Sequence, residues 1–522
     1  MGELNNVYNF KNPVKNFLNT DNIKLPNNVS SFNIENLCWV EPFNFRVKKQ
    51  DDKYRTLKIP NILNFACAYE QFKDMDNFGS IKSMDPVHKR LSANIETGDF
   101  VSGEYDSQLD EDFEKLCVYD NLIKMDIKEY YGRVYTHRID FKGKERFLSN
   151  MNLGATNGLI MGNYLSLYFA ELNLTNISND IEKEIGGLDC EFSYFSDDFY
   201  FFCNKNDNEK IIQIFDKVLE RYNLERNENK REIWTYETFN NYNLVERYWK
   251  KLIAYCNIRF KEKRNDNKLY FINQIVYRLS KLNDDKLKKI FINNFFKTKY
   301  FRELNFSKYQ VKNYDYHQLC FILKFSPESM LYAVDKFNGM DNFDNRKLYK
   351  FFKIRYKESL QESFNEEQLY FYYAIKILGF TDILIEEKDT VLRSNNQILI
   401  SYYLKDSIFK SEDIEILKQN DTEEFWFQNY HLILCTPDLL GNIENSIYRY
   451  LMPINAKEKA EDSNDKKKKK GFQRESYMNF YKENLELNIS FIKDISNVHT
   501  EIKNYLNLKI EESEVAFESQ ET

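Results

Sequence analysis

Glycine and proline are both scarce in this chain, 15 and 8 in 522 residues. An all-β architecture built on tight turns needs many of each, so their shortage argues against that class and for long helices. No apolar run is long enough to span a bilayer. The opening Met-Gly-Glu-Leu-Asn-Asn lacks the basic and apolar segments of a secretory signal. A cytoplasmic location with no membrane partner is therefore the expectation. Eight cysteines are scattered without a Cys-x-x-Cys pair or a His/Cys cluster, which suggests neither a zinc site nor a disulfide framework. The formal net charge of −7 counts against a general affinity for nucleic acid. A local basic channel can still track a phosphate backbone on an acidic protein.

What is present begins with size: 522 residues, 42% hydrophobic and 30% charged, have room for two or three soluble domains. The most informative stretch runs from Cys190 to Cys203, Cys-Glu-Phe-Ser-Tyr-Phe-Ser-Asp-Asp-Phe-Tyr-Phe-Phe-Cys. Two strand-like aromatic runs meet at Asp197-Asp198, which predicts a β-hairpin with both carboxylates at its tip. Adjacent like charges repel, and apolar neighbours raise the cost of keeping them ionised. A pair of divalent cations removes that penalty, as in nucleotide polymerases, where carboxylates clamp two Mg²⁺ ions about 4 Å apart. A polar turn between two core strands explains the same residues equally well.

Upstream, Arg46, Lys48, Lys49, Lys53, Arg55 and Lys58 are opposed only by Asp51 and Asp52. Two short strands joined by this charged turn would put Lys48 or Lys49 and Arg55 on one surface, able to hold a triphosphate. In isolation a solvated hairpin accounts for them too. At Leu122, Ile123 and Met125 a buried-strand pattern runs straight into Asp126, a position from which a carboxylate can share metals with Asp197 and Asp198. Tyr131 would then lie beneath the incoming sugar, where its ring excludes a ribose 2′-hydroxyl. Tyr135, Thr136 and His137 are given no catalytic role. Glycines at 154, 158 and 162 precede an amphipathic run through Leu165, Phe169, Leu172 and Leu174, the arrangement that lets backbone approach a ligand ahead of a helix N-terminus. A helix is expected from Ile211 to Tyr222, with Asn223 as a left-handed cap. Lys230 beyond it is either a general acid or a surface lysine.

In this order and spacing, Asp126 with Tyr131, Gly158 to Ser166, Phe195-Ser-Asp-Asp198 and Leu224 to Lys230 resemble the palm motifs of reverse transcriptases. The basic hairpin around Arg55 resembles their fingers motifs. Asp-Ile-x-x-Tyr-Tyr-x-x-Val-Tyr-Thr-His and Thr-Asn-Gly-Leu-x-x-Gly-x-Tyr-x-Ser are similar, more narrowly, to the bacterial abortive-infection, phage-defence (Abi-type) reverse transcriptases. The resemblance covers about residues 40–240. It implies an α+β right-hand polymerase, with fingers and palm (an antiparallel sheet plus helices) over residues 1–244. In place of a thumb it implies an all-α, HEAT-like helical-repeat domain over 245–522.

By the same resemblance, Asp126, Asp197 and Asp198 bind two Mg²⁺ ions, for which Mn²⁺ can substitute, with the Ile127 carbonyl as an extra ligand. Lys48 or Lys49 with Arg55, Tyr131, Met161 and Gly162 form the dNTP site, and Lys230 is the leaving-group acid. Phe195 replaces a common Tyr, and Ile160-Met161 replaces a common Pro-Gln. A thioether cannot hydrogen-bond strongly near a nascent base pair, so ordinary template copying is less expected than the chemistry itself. The group resembled makes DNA with little or no template, primes on a protein tyrosine so that product stays attached, and forms oligomers. Two alternatives stand beside that reading: template-dependent copying of a bound structured RNA, and a non-catalytic defence scaffold. No Arg-x₄₋₆-His nuclease pattern precedes His317, His431 or His499.

The C-terminal half reads as helical. Ile272, Ile275, Val276, Leu279 and Leu282 keep helical spacing, Asn283-Asp284-Asp285 breaks it, and Leu287, Ile290 and Phe291 resume it. Ser326-Pro327 is expected to start a helix and Gly379 to stop one. Asn464 to Gly471, with five consecutive lysines, is read as a charged loop. Tyr477 and Tyr481 lie near it and are the priming candidates.

Overall fold

The computed structural model describes residues 2–8, 15–26, 37–50, 53–91, 95, 104–243, 276–277, 279–280, 285–302, 313–337, 345–457 and 464–518. Ile272, Ile275 and Leu282 lie outside the described residues. The chain divides into two compact units. The first comprises Met1–Phe45, Thr56–Tyr242 and Glu415–Phe491; the second comprises Arg46–Arg55, Asn243–Ile414 and Ile492–Thr522. The main run of the first unit ends at Tyr242, beside the division expected at 244/245. That division is contiguous, however, and the units are not. The first regains the chain at Glu415, and the second takes the tip of the basic hairpin, β1 (Phe43–Gln50) with β2 (Lys53–Ile59).

At the heart of the first unit is a four-stranded antiparallel sheet in the order β4-β5-β3-β6, made of β3 (Asn121–Asp126), β4 (Cys190–Phe195), β5 (Asp198–Cys203) and β6 (Glu232–Trp234). Alternation decides its two faces. Phe199 and Phe201 of β5 point to one side and pack on Phe215, with ring centroids 5.1 and 5.6 Å away. Phe215 belongs to helix α3 (Asn208–Arg221), whose buried Ile211, Ile212, Phe215, Val218 and Leu219 recur at helical spacing. On the other side, Leu122 and Phe202 join Leu109, Phe113 and Leu116 of helix α1 (Glu104–Val118) and Phe239 in one apolar cluster. Helix α2 (Tyr164–Ile185) starts where the Asn163 side chain accepts from the Ser166 N–H at 2.9 Å, a cap that meets one of the orphan donors of the first turn. The edge of β4 is not left open: Tyr194 N–H donates to His88 O at 2.8 Å, and Arg90 N–H donates to Tyr194 O at 2.9 Å.

The described part of the second unit is helical apart from the hairpin tip. Helix α4 (Asn365–Leu378) ends at Gly379, φ 75°, as expected. Two expectations need correction. Ser326-Pro327 opens a 3₁₀ turn, Pro327–Ser329, and the Ser326 hydroxyl does not cap it, because it donates to Asn293 Oδ1 at 2.8 Å. The lysine run is not a loop; Asn464–Glu486 is a single helix, α5. Lysine is a good helix former and one glycine costs only about 1 kcal/mol, so the run continues the amphipathic segment behind it.

Candidate active site

Pairing of β3 with β5 sets Asp126 directly opposite Asp198. In an antiparallel ladder, opposed residues share a face, so these two carboxylates leave the sheet on the same side at the same end. The hairpin between β4 and β5 turns at Ser196-Asp197, with Ser196 left-handed at φ 52°. Ile127 N–H donates to Asp197 O at 3.0 Å, fixing the turn against the end of β3. The expected hairpin is present, and three acidic residues separated by some seventy positions of chain meet at its tip.

Their charges are met by cations and amides. Asp126 Oδ1 accepts from Asn227 Nδ2 at 2.9 Å, Oδ2 accepts from the Lys230 ammonium, and its backbone carbonyl accepts from Asn227 N–H at 2.7 Å. Asn227 is placed by the left-handed Asn223 (φ 56°), as expected at the end of α3. It is also placed by Arg226, which holds Asp216 of α3 through bonds of 2.8 and 3.0 Å. Asp198 Oδ2 lies 3.1 Å from Lys124 Nζ. Burial pulls the Lys124 ammonium down, but Tyr200, Asp198 and Glu232 outweigh it and lift it above the ordinary lysine range. Asp197 is the strained member: burial, then the neighbouring charges of Asp126 and Asp198, hold its carboxyl above the usual aspartate range. An all-oxygen set of this kind suits Mg²⁺ in chemistry. Even so, among the described residues no group of three or more His, Cys, Asp or Glu is disposed to hold a metal ion.

Lys124 and Asn227 were not singled out from the sequence. Lys124 was discoverable, since a lysine inside an apolar strand two residues before Asp126 must share its face. Asn227 was not, because its position depends on how the turn after α3 folds back.

Tyr131 and the glycine loop do come together. Tyr131 sits half-buried in the helical turn Tyr130–Arg133, and its carbonyl accepts from Leu159 N–H at 2.8 Å. Gly158 has φ 81°, and a Cβ there would meet Gly132 O at 3.0 Å, so the close approach needs glycine. Met161 O accepts from Lys58 N–H at 3.0 Å, and Gly162 has φ 126° with Leu57 against it. A cavity of about 370 Å³ flanks the loop, lined in part by His137, Phe141, Arg146, Met151 and Ile160.

Lys48, Lys49 and Arg55 belong to the other unit. Lys49 and Arg55 are exposed. Lys48 is occupied: its ammonium lies 3.8 Å from Glu367 and 5.0 Å over the Phe364 ring, and its N–H donates to Glu366 Oε1 at 2.6 Å. Arg46 N–H donates in the same way to Asn365 Oδ1 at 2.6 Å, so side chains at the start of α4 satisfy one edge of β1. Burial, followed by the charges of Glu367 and Glu328, pushes the Glu366 carboxyl up to about 8 against the donated Lys48 N–H. A raised carboxyl means that the native state binds the extra proton. Its stabilising contribution is present at pH 4 and lost as pH rises through about 8. Glu366→Gln keeps the acceptor and removes the charge. At pH 9 it should be more stable than the parent by on the order of 2 kcal/mol, given the partial exposure of this side chain, and equal to it at pH 4, as read by thermal melting.

The priming expectation fails for both tyrosines. Tyr477 and Tyr481 are one helical turn apart on α5 and wholly buried. The Tyr477 hydroxyl donates to Asn64 Oδ1 at 2.6 Å, and that of Tyr481 accepts from Asn61 Nδ2 at 2.6 Å. Nearness to the lysine run was misleading, because i,i+4 spacing sent these rings to the core face. Tyr477→Phe should leave nucleotide chemistry intact and lower stability by about 1–2 kcal/mol through the lost buried hydrogen bond, which melting would show.

No protein-family model and no curated protein matches the chain. Among solved structures, it is similar to a telomerase from Candida albicans in complex with a TWJ fragment of telomeric RNA, at 11% identity and a TM-score of 0.28, over 72% of this chain. The chain spans 66% of that telomerase's length, just under two thirds.

Proposed function

We propose that this chain is a Mg²⁺-dependent nucleotidyltransferase of the phage-defence, abortive-infection reverse transcriptase type, making DNA from dNTPs without a template and priming on a protein tyrosine. The observation that carries the reading is the register of β3 on β5, which brings Asp126 to Asp198 with Asp197 in the adjoining turn. Asp126, Asp197, Asp198 and the Ile127 carbonyl would hold the metal. Bound there, a Mg²⁺ pair supplies activation of a 3′-hydroxyl and charge stabilisation of departing pyrophosphate. Tyr131, whose carbonyl is held by Leu159 of the glycine loop, would exclude a ribose 2′-hydroxyl. Lys230, 46% exposed, can leave Asp126 and give a proton to the leaving group.

The purified chain, given one dNTP at a time with Mg²⁺ and no template, should yield polymer that migrates with the polypeptide on a denaturing gel until protease frees it. Product that vanishes after ribonuclease treatment, alongside one discrete co-purifying RNA, would instead support copying of a bound template. A second reading, a non-catalytic defence scaffold, draws on the ammonium groups that already neutralise Asp126 and Asp198. Inertness of the chain on every dNTP and template offered would favour it. Lys230→Met should slow incorporation about a hundredfold in kcat with little change in KM for dNTP, as measured by steady-state incorporation.

A further inference from the structure

The helical second unit carries a knot of positive charge of its own. Helix α6 (Ile495–Glu518) packs on the helical turn Met330–Ala333 and on α4, all within that unit. Its buried stripe is Val498, Ile502 and Leu506, so His499 and Lys503, one turn apart, lie together at the edge of that stripe. A 2.6 Å hydrogen bond between the Tyr373 hydroxyl of α4 and His499 Nδ1 fixes the imidazole there. Arg302 and Lys336 come to the same edge, close enough for their charges to act on those of α6. Arg302 is occupied within the protein: its guanidinium forks onto Asp335 at 2.5 and 3.1 Å and donates to Tyr332 O at 2.7 Å. Glu328 is turned to Asn293 and Tyr332, and Glu501 of α6 to Lys493. The Lys336 ammonium donates to a neutral partner, the Arg302 carbonyl, and among the described residues neither it nor the exposed Lys503 forms an ion pair.

From this arrangement we propose that Lys336 and Lys503 form a binding site for a phosphate monoester, with Arg302 and His499 as its positive rim. The site goes beyond the nucleotidyltransferase reading and does not depend on it. With Arg302 answered by Asp335, the two lysines leave two positive charges over, which match the roughly −2 charge of a phosphate monoester better than the single charge of a phosphodiester. An ammonium is a compact point charge that takes a phosphate oxygen without demanding a fixed plane, as suits two lysines arriving from different elements. Lys336, tied to the Arg302 carbonyl, is the fixed member, and exposed Lys503 is the one free to close on the ligand. The electrostatics agree. Burial, then Arg302, hold the Lys336 ammonium below the ordinary lysine range, with Lys503 adding to this and Asp335 opposing it. Burial, then Lys503, hold the His499 imidazole below its own, with Arg302 adding and Asp335 again opposing. An anion seated among these groups relieves the repulsion.

The test is phosphorus-31 line broadening of inorganic phosphate and of dTMP by the full chain, in EDTA so that no divalent metal takes part. The parent should broaden both saturably. Lys336→Gln and Lys503→Gln should each weaken binding about tenfold, the loss of one charge-assisted hydrogen bond. Lys482→Gln, which removes the same charge from the exposed Lys482–Glu444 pair, should stay within about twofold of the parent. If Lys336→Gln does not fold, Lys503→Gln, at an exposed position, carries the test alone. Fluorescence anisotropy of labelled oligothymidylate separates the sources: a strand with a 5′-phosphate should bind as dTMP does, and one without it about tenfold more weakly. Equal binding of the two strands overturns the monoester assignment. So does a parent that never saturates, or a Lys482→Gln loss as large as the other two, which would mean general attraction to positive charge. Failure of template-free incorporation would sink the catalytic reading and leave this site standing.

Discussion

Asp197→Asn should reduce template-free dNTP incorporation by at least about a thousandfold, while leaving the melting temperature equal to or above that of the parent. The first half follows from the site, where Asp197 is the carboxylate with most to gain from a cation, and losing a group that acts on developing charge costs on that scale. The second half follows from burial and repulsion. The carboxyl of Asp197 is held above its ordinary range by desolvation and then by Asp126 and Asp198. Replacing it with a neutral amide removes that unfavourable charge from the fold. Activity and stability should therefore move in opposite directions, which a merely structural residue at a hairpin tip would not do. Incorporation and melting on the same preparation decide it; parallel loss of both would sink the catalytic assignment of this residue.

The parts legible in the sequence are those fixed by local pattern. Alternation of aromatic residues around Asp197-Asp198 gave the hairpin, the apolar run before Asp126 gave β3, and Asn223 gave the left-handed turn. What decided the electrostatics of the site was not local. Alternation along β3 puts Lys124 on the face of Asp126, but its ion pair with Asp198 needs the β3–β5 register, and Asn227 reaches Asp126 only through the fold-back after α3. Neither distance is written in the spacing of the residues. The same limit explains the two tyrosines of α5. Proximity to a basic run is a one-dimensional property, whereas burial of Tyr477 against Asn64 joins residues more than four hundred positions apart. Lys48 shows a third form of the limit. Its residue type suits a phosphate, and its ammonium is nonetheless drawn to Glu367.

Glu171→Leu should destabilise the first unit by about 3–5 kcal/mol, and the double variant with Lys89→Met should recover most of the loss. Lys89 and Glu171 form an ion pair with side chains 1% and 8% exposed, so removing one partner strands a charge that water cannot reach. Replacing both leaves apolar side chains of similar volume against the Tyr194 ring with no stranded charge, which is often neutral. The pair also ties the site to its scaffold. Lys89 pairs with the Tyr194 edge of β4 and lies 4.5 Å over that ring, while Glu171 belongs to α2. Asp85 completes the tie, accepting from the Ser178 hydroxyl of α2 at 2.6 Å. Loosening it frees the strand that leads directly into Ser196-Asp197. The single variant should therefore melt roughly 10 °C lower. Its incorporation rate should fall as the assay nears that temperature, with both measurements returning toward the parent in the double variant. A single variant as stable as the parent would mean that the pair is reached by water, and that β4 is held by its apolar packing alone.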